Sequence, residues 1–184
     1  LYTPTMSFSL NNERKSGFLP PKFGTSSDSG FQFSIPYYWN IAPNMDATLT
    51  PHVMTKRGLM LGSEWRYLNS AFGGLYNSKV TADFLPNDSQ RDNDNRYGFA
   101  VKHTQTTGYG LSADLDYNKV SDDNYFTDLA SGVTSTSSTQ LLQRLMLSYS
   151  GGGWWSTSVN FQQHQTLQPD PDNFVRAPYK LLPQ

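Results

Sequence analysis

Few side chains in this sequence have the types and spacing that chemistry requires. The three histidines, His52, His103 and His164, stand far apart, and no His-x-x-x-His pair or adjacent acidic pattern suggests a zinc site. No Gly-x-Ser-x-Gly motif presents a nucleophilic serine, and the glycines at 151–153 suit a turn better than a phosphate loop. The acidic segment 87–95 lacks the glycine and final glutamate of an EF-hand, so we prefer a solvated loop to a calcium site. We therefore expect no enzyme, no cofactor and no resident metal.

The overall composition excludes several further classes of function. The 184 residues carry a net charge of −1, so no general field points to nucleic acid or to an acidic partner. Cysteine is absent, which excludes disulfides and thiolate metal sites within this segment. The chain has no apolar run of about 18 residues and opens with neither methionine nor a signal peptide, so we expect a processed or excised piece.

Most segments alternate between apolar and polar residues with a period of two, which is typical of β-strands. In residues 109–118, Leu111 and Leu115 fall on one face while Asp114 and Asp116 fall on the other. Comparable segments cover residues 16–23, 31–40, 46–55, 59–69, 74–85, 96–105, 139–150 and 154–164. Most are about 9–12 residues long, as tilted membrane-crossing strands are, whereas globular strands average about 5–6. We predict an all-β fold, an antiparallel up-and-down transmembrane β-barrel.

The connections between these segments also fit a barrel. One alternate set is short, whereas the other contains the long segments 87–95 and 121–138, and only the tight turn at 56–58 breaks the contrast. Outer-membrane barrels have short periplasmic turns and long external loops. Single-chain bacterial barrels use even strand numbers, so we interpret the chain as about nine to ten strands of a larger barrel, the last beginning within residues 175–184.

Aromatic side chains cluster at both ends of the predicted strands. Tyrosine and tryptophan dominate the ends assigned to the periplasm, and a mixed phenylalanine and tyrosine set lies at the opposite ends. Two girdles at the two membrane interfaces explain this placement, whereas the alternative, a soluble β-sandwich, needs aromatic side chains in a single core layer. The predicted periplasmic girdle consists of Tyr37, Trp39, Trp65, Tyr67, Tyr76, Tyr109, Tyr149 and Trp155.

Five motifs are long or unusual enough to compare with known families: "RKSGFLPP", "IPYYWNIAPNMDATLTPHVMTKRG", "EWRYL", "YNKVSDDNYFTDL" and "PYKLLPQ". Together they resemble the LptD family of lipopolysaccharide-assembly proteins of the Gram-negative outer membrane. The resemblance runs along most of the chain. It implies that residues 1–13 end a periplasmic jellyroll and its linker, and that residues 14–184 form the first portion of an outer-membrane β-barrel.

The resemblance also implies a function and a set of partners. Members of the family pass lipopolysaccharide along the jellyroll and release it through a lateral opening between the first and last strands of the barrel. The lipoprotein LptE plugs the barrel, and the bridge protein LptA contacts the jellyroll. We therefore expect a lipopolysaccharide translocon that contacts LptE, LptA and outer-membrane lipid, with no nucleic acid among its partners.

Prolines interrupt the first two predicted strands, where a sheet normally uses every backbone donor. By the resemblance, Pro21 and Pro36 match family positions that loosen the seam of the barrel, and Pro20 is an additional proline beside the first. An unsatisfied backbone group is costly in hydrocarbon, so a seam whose bonds were never made opens more readily. We predict that these prolines form a lateral gate. The alternative is a strand end at Pro20 and Pro21 with a bulge at Pro36, and Pro51 in the third strand is given no gating role.

Polar residues on the predicted inward faces indicate a wet lumen that suits a sugar-rich headgroup, although any porin would have the same feature. These residues are Glu64, Arg66, Lys79, Asp83, Asp114 and Asp116. Lys22, Lys56 and Arg57 lie near external turns and are candidates for contacts with lipid phosphate, with ordinary charged turns as the alternative.

Three rival functions are left open at this point. A general diffusion porin would share the alternation and the girdles but would not need weakened first strands. A soluble carbohydrate-binding β-sandwich would share the alternation alone. An outer-membrane lipid hydrolase would need a serine and a histidine within bonding distance at the rim of the barrel.

Overall fold

The computed structural model describes residues 14–129, 139–151 and 153–170, together with residues 172, 176, 178 and 180. Within these ranges the chain forms one antiparallel meander with a single short helix. The elements are β1 (Gly17–Phe18), β2 (Lys22–Ser26), β3 (Gly30–Ser34), β4 (Tyr37–Ala42), β5 (Met45–Met54), β6 (Gly58–Ala71), β7 (Gly74–Asp88), β8 (Asp94–Thr106), β9 (Leu111–Val120), α1 (Tyr125–Asp128), β10 (Gln140–Gly151) and β11 (Trp155–Thr166).

The predicted all-β class and the antiparallel meander are confirmed. From β4 onward, strands that are neighbours in sequence are neighbours in the sheet, whereas β1 pairs with β4, and β2 pairs with β3, which in turn pairs with β5. Because β1 and β11 stand at opposite ends of the strand order, the described part of the sheet is open. The predicted end of a jellyroll at residues 1–13 lies outside the described residues, as does most of the predicted tenth strand at 175–184. In the part of the chain that the structure describes, the one helix has four residues, which is too short to span a membrane.

The register of the strands separates two faces of the sheet. Because successive side chains of a strand point to opposite sides, residues paired across neighbouring strands share a face. One row is mostly apolar and defines the apolar face: Trp39, Ala47, Trp65, Val80, Val101 and Tyr117. The adjacent row is polar or charged and defines the polar face: Asn40, Asp46, Arg66, Lys79, Lys102, Asp116 and Arg144.

The first two predicted strands are each divided into two pieces. The segment predicted as one strand over 31–40 consists of β3 and β4, separated by Ile35 and Pro36. The segment predicted over 16–23 consists of β1 and the start of β2, separated by residues 19–21. Proline is the physical reason in both, since its ring removes the backbone donor and fixes φ. We refer to β1 with β2 as the first strand and to β3 with β4 as the second strand.

A compact apolar cluster covers one end of the polar face. Its buried members are Met54, Met60, Leu85, Val120, Tyr125, Leu129, Leu141 and Leu167. The segment after β9, which includes α1, folds back over the sheet and inserts Tyr125 into this cluster. Gly98 makes room for it, because a Cβ at position 98 would lie 2.7 Å from the Tyr125 hydroxyl. The long connection that begins at residue 121 is therefore partly packed against the sheet.

Candidate functional site

The pairing between the first and second strands is interrupted at the free edge of the sheet. β1 pairs with β4 as far as Phe18, and β2 pairs with β3 from Lys22 onward. In the interval, residues 19–21 face residues 35–36, so the first strand carries one extra residue, as in a bulge. The interval contains all three prolines predicted to form the gate: Pro20, Pro21 and Pro36.

One backbone hydrogen bond crosses this interval among the residues described. The Leu19 N–H donates to the carbonyl oxygen of Pro36 at 2.8 Å. Pro36 has no N–H to donate in return, and neither Pro20 nor Pro21 can donate to either neighbour. The first strand is therefore held on the N-terminal side of the interval by the pairing of the short β1 with β4. On the C-terminal side it is held by the hairpin that β2 forms with β3.

A cavity of about 820 Å³ opens on the polar face beside this interval. Its wall includes the three prolines, and its floor carries hydroxyl, amide, imidazole and carboxyl groups from the polar face. His52 shares a hydrogen bond of 3.1 Å with Gln32, which ties β5 to β3 inside the cavity. The cavity therefore joins a weakly bonded edge to a surface that can bind polar groups by hydrogen bonds.

Ion pairs run across the polar face toward the end of the sheet that carries the β4–β5 turn. Asp46 is buried and accepts from Arg66 Nε at 2.7 Å and from Arg14 Nη1 at 2.8 Å. Further pairs of this surface join Lys79 to Glu64 at 2.9 Å, Arg144 to Asp114 at 2.6 Å and Lys102 to Asp116 at 3.9 Å. The cations of Arg66, Lys79 and Lys102 are about half exposed, so this part of the face is open to solvent.

The structure brings all six residues predicted to face the lumen onto the polar face. Five of them belong to the ion pairs just described. The sixth, Asp83, lies at the buried end, where the Tyr125 hydroxyl donates to it at 3.5 Å. Gly62 is its register partner and provides the space, since a Cβ at position 62 would lie 2.9 Å from Asp83 Oδ1.

A buried charge cluster at the same end was not predicted from the sequence. Asp88 is fully buried and accepts from Arg57 Nη1 at 2.8 Å and from Arg96 Nη1 at 3.0 Å. Arg96 also pairs with Asp122 at 2.7 Å and with Asp128 at 3.0 Å. The cluster thus ties the β5–β6 and β7–β8 turns to the segment that contains α1. The solvated loop expected over 87–95 does not apply to Asp88, because its side chain is buried and pairs with Arg57 and Arg96.

The pKa of Asp122 reflects this cluster. Burial alone would raise the pKa of its carboxyl, but the hydrogen bond from Arg96, that from the Ser121 hydroxyl and the charge of Arg96 outweigh it. The pKa of Asp122 therefore lies below its ordinary value, and the carboxylate form is favoured in the folded protein.

The three cations predicted to contact lipid phosphate lie in different surroundings. Arg57 is 3% exposed and belongs to the buried cluster, so its guanidinium is not presented to a lipid surface. Lys22 is exposed at the rim of the cavity. Lys56 is exposed, and its ammonium donates to the Ser27 carbonyl oxygen at 2.7 Å. The structure does not bring these three side chains into one site.

The residues predicted to form the periplasmic girdle lie mostly on the apolar face. By register, the strand residues of this set point away from the polar row. Trp39 and Trp65 make an edge contact with ring centroids 6.4 Å apart, and Tyr149 and Trp155 lie 5.2 Å apart. Tyr109 lies in the turn before β9 and is largely exposed.

Comparisons with known proteins agree on one family. The family model described as "LptD: LPS transport system D" matches residues 94–184. A protein named "LPS-assembly protein LptD" from Nitrosomonas eutropha is 45% identical across the whole chain, which covers 25% of that protein. Proteins of the same name from an Azoarcus species and from Bordetella pertussis are 44% and 41% identical across the whole chain, which covers 22% of each. The chain therefore spans a quarter or less of the length of these relatives and is similar to them over that part.

Proposed function

We propose that the full-length protein moves lipopolysaccharide into the outer leaflet of the outer membrane of a Gram-negative bacterium, through a barrel that opens sideways. This chain would provide the first strands of that barrel. The homology to proteins named for lipopolysaccharide assembly supports the substrate and the membrane. The observation that carries the mechanism is the proline-interrupted pairing at the free edge of the sheet.

The two faces suit the two halves of an amphiphilic substrate. In a barrel, the polar face would line the aqueous interior and the apolar face would meet lipid. The cavity beside the prolines would receive the sugar hydroxyls of the headgroup, since its lining offers hydroxyl, amide, imidazole and carboxyl groups. The acyl chains would leave between the first strand and the last strand of the complete barrel. The prolines would ease the displacement of the first strand, because its pairing with the second strand lacks backbone bonds at the interval.

Two exposed lysines and the aromatic girdle would set the position of lipid around this opening. Lys22 and Lys56 are available to phosphate groups of the external leaflet, and Arg57 is left out because it is buried. The tyrosine and tryptophan side chains around Trp39 and Trp65 would mark the periplasmic interface.

The partners follow from the same proposal. LptE would plug the barrel and contact the exposed ion pairs of the polar face. LptA would deliver lipopolysaccharide to a jellyroll whose end we assign to residues 1–13, while residues 14–184 belong to the barrel. This portion performs no covalent chemistry in the proposed mechanism, so the energy for transport comes from the proteins that deliver the substrate.

The gate is tested by restoring the missing donors in the full-length protein. The double substitution Pro21→Ala and Pro36→Ala is expected to slow the arrival of lipopolysaccharide at the cell surface and to slow amide exchange across the first two strands. Pro43→Ala is a matched control, because Pro43 lies in the β4–β5 turn away from the interval. Normal export together with unchanged exchange in the double variant would count against the gate.

A further inference from the structure

A fourth proline lies level with the interrupted interval, in the third strand. β5 keeps one register with both pieces of the second strand, since Ser34 faces His52 and Tyr37 faces Leu49. Pro51 therefore stands opposite Ile35 in the same sheet. The Ile35 N–H donates to the Pro51 carbonyl oxygen at a long 3.4 Å. An antiparallel pair of this kind normally exchanges two bonds, and proline cannot supply the second.

The prolines remove backbone hydrogen bonds at two successive boundaries, that between the first and second strands and that between the second strand and β5. The Pro36 carbonyl accepts from Leu19, so the backbone of Pro36 faces the first strand. The Pro51 carbonyl accepts from Ile35, so the backbone of Pro51 faces the second strand. The N–H and C=O groups of a strand residue point to the same side, so each proline removes a bond from the boundary it faces. The weakened level thus extends beyond the seam to the boundary with β5.

Above this level, β2 and β3 form a hairpin of their own. They pair without a break from Lys22 opposite Ser34 to Ser26 opposite Gly30. The hairpin pairs with β5 along residues 32–34. Nearer the tip, the Phe31 N–H donates to the Thr55 hydroxyl at 3.0 Å, and the Lys56 ammonium donates to a hairpin carbonyl oxygen at 2.7 Å. At its tip, the N–H groups of Thr55 and Lys56 donate to backbone carbonyls of the hairpin at 3.0 and 3.2 Å.

The pairing between β2 and β3 is therefore unbroken, whereas the hairpin has few backbone bonds where it meets the proline interval. We propose that the hairpin β2–β3 is the moving part of the gate and turns away from β5 as one unit, with Pro51 as the third residue of a proline hinge. This inference rests on the proposed transport function and specifies which residues move. Unlike separation of the first strand alone, it keeps the bonds between β2 and β3 intact while the opening widens by two strands.

Two disulfide staples in the full-length protein separate these motions. Phe23→Cys with Phe33→Cys joins β2 to β3, and Gln32→Cys with Met54→Cys joins β3 to β5. Both are non-hydrogen-bonded pairs, whose Cα atoms lie about 4.5 Å apart, within the range that a disulfide spans. The four single-cysteine variants are the matched controls for folding and for the loss of each side chain.

We expect the variant with the oxidised 23–33 disulfide to export lipopolysaccharide at the rate of its single-cysteine controls. The variant with the oxidised 32–54 disulfide is expected to export lipopolysaccharide at least about tenfold more slowly than its controls. Any other pattern overturns the inference. If the 23–33 disulfide blocks export, the first strand moves alone or also separates from β3. If export tolerates both disulfides, the hairpin stays in place. If depletion of the wild-type protein leaves surface lipopolysaccharide unchanged, the proposed function itself fails.

Pro51→Ala tests the hinge without a staple. The new N–H can donate to the Ile35 carbonyl oxygen. One net backbone hydrogen bond corresponds to about a fivefold change in the equilibrium between the attached and the displaced hairpin. We expect export and amide exchange of β3 to slow by about this factor or more, with Pro43→Ala as the control. Export and exchange at the control values would overturn the role of Pro51.

Discussion

Replacement of Asp88 by alanine tests whether the buried charge cluster holds the segment after β9 against the sheet. The Asp88 carboxylate is 0% exposed. One oxygen accepts from Arg57 and Arg96, and the other accepts from the Gln90 backbone N–H at 3.0 Å. The alanine variant removes these acceptors and leaves two guanidinium groups in a site that excludes water.

The expected magnitude follows from which charges keep a partner. Removal of one member of a buried ion pair costs about 3–5 kcal/mol, because the remaining charge stays desolvated. Arg96 keeps Asp122 and Asp128, whereas Arg57 keeps only a 3.7 Å contact with Asp128 among the ion pairs described. We therefore expect a value near the lower limit, about 3 kcal/mol, which is about a hundredfold in the equilibrium for local opening.

Hydrogen exchange in the full-length protein measures this opening directly. The Ser121 N–H donates to the Tyr97 carbonyl oxygen of β8 and reports whether the segment is attached. The Leu129 N–H donates to the Tyr125 carbonyl oxygen within the segment and reports whether α1 stays folded. Both should exchange about a hundredfold faster in Asp88→Ala. Asp94→Ala is the matched control, because Asp94 is an exposed acid at the start of β8, on the other side of the same turn. Wild-type protection of both amides in Asp88→Ala would refute a holding role for the cluster.

Two further predictions concern the same end of the sheet. Gly98→Ala should displace Tyr125 and raise the fluorescence quenching of tyrosine by iodide, whereas Gly17→Ala, where a Cβ meets nothing within 4 Å, should leave quenching unchanged. Acid should loosen the segment through Asp122. Its folded pKa lies below the ordinary 3.8, so its contribution is complete above that pH and is lost as pH falls below it. Near-ultraviolet circular dichroism should therefore be constant down to about pH 4, and an Asp122-dependent loss above about pH 5 would contradict the ion pair with Arg96.

The alternating segments were predictable because a period of two admits only one arrangement of faces. Once Asp114 and Asp116 share a face, the alternation within the neighbouring strands places Lys102 and Arg144 on the same side of the sheet, and the register brings them beside the two carboxylates. The interruptions at Pro20, Pro21 and Pro36 were also readable, since proline changes the backbone wherever it stands. Pro51 was not readable as part of the same level, because its alignment with Ile35 depends on the register between strands.

The packed end of the polar face was missed for a different reason. Segment 87–95 is polar along its whole length, and composition alone cannot show that Asp88 meets Arg57 and Arg96 in space. The position of Arg57 in a tight turn predicts a surface cation, whereas the structure buries its guanidinium among acidic side chains. Gly98 has no side chain and therefore leaves space on β8. This glycine was the feature of the sequence that indicated an inserted side chain, and Tyr125 occupies the space.

The buried charge cluster and the hairpin β2–β3 lie in different parts of the sheet. A barrel can therefore open at one edge while its covered end keeps its contacts. The buried charge cluster joins the β5–β6 turn, the β7–β8 turn and the segment after β9, so it belongs to the part that stays in place. The hairpin β2–β3 contributes no side chain to the charge cluster in the described ion pairs. Movement of the hairpin therefore leaves those pairs unbroken, and the covered end of the polar face can stay dry while the edge separates. In the proposed transport function, lipid would therefore leave through the side while this covered end stays in place.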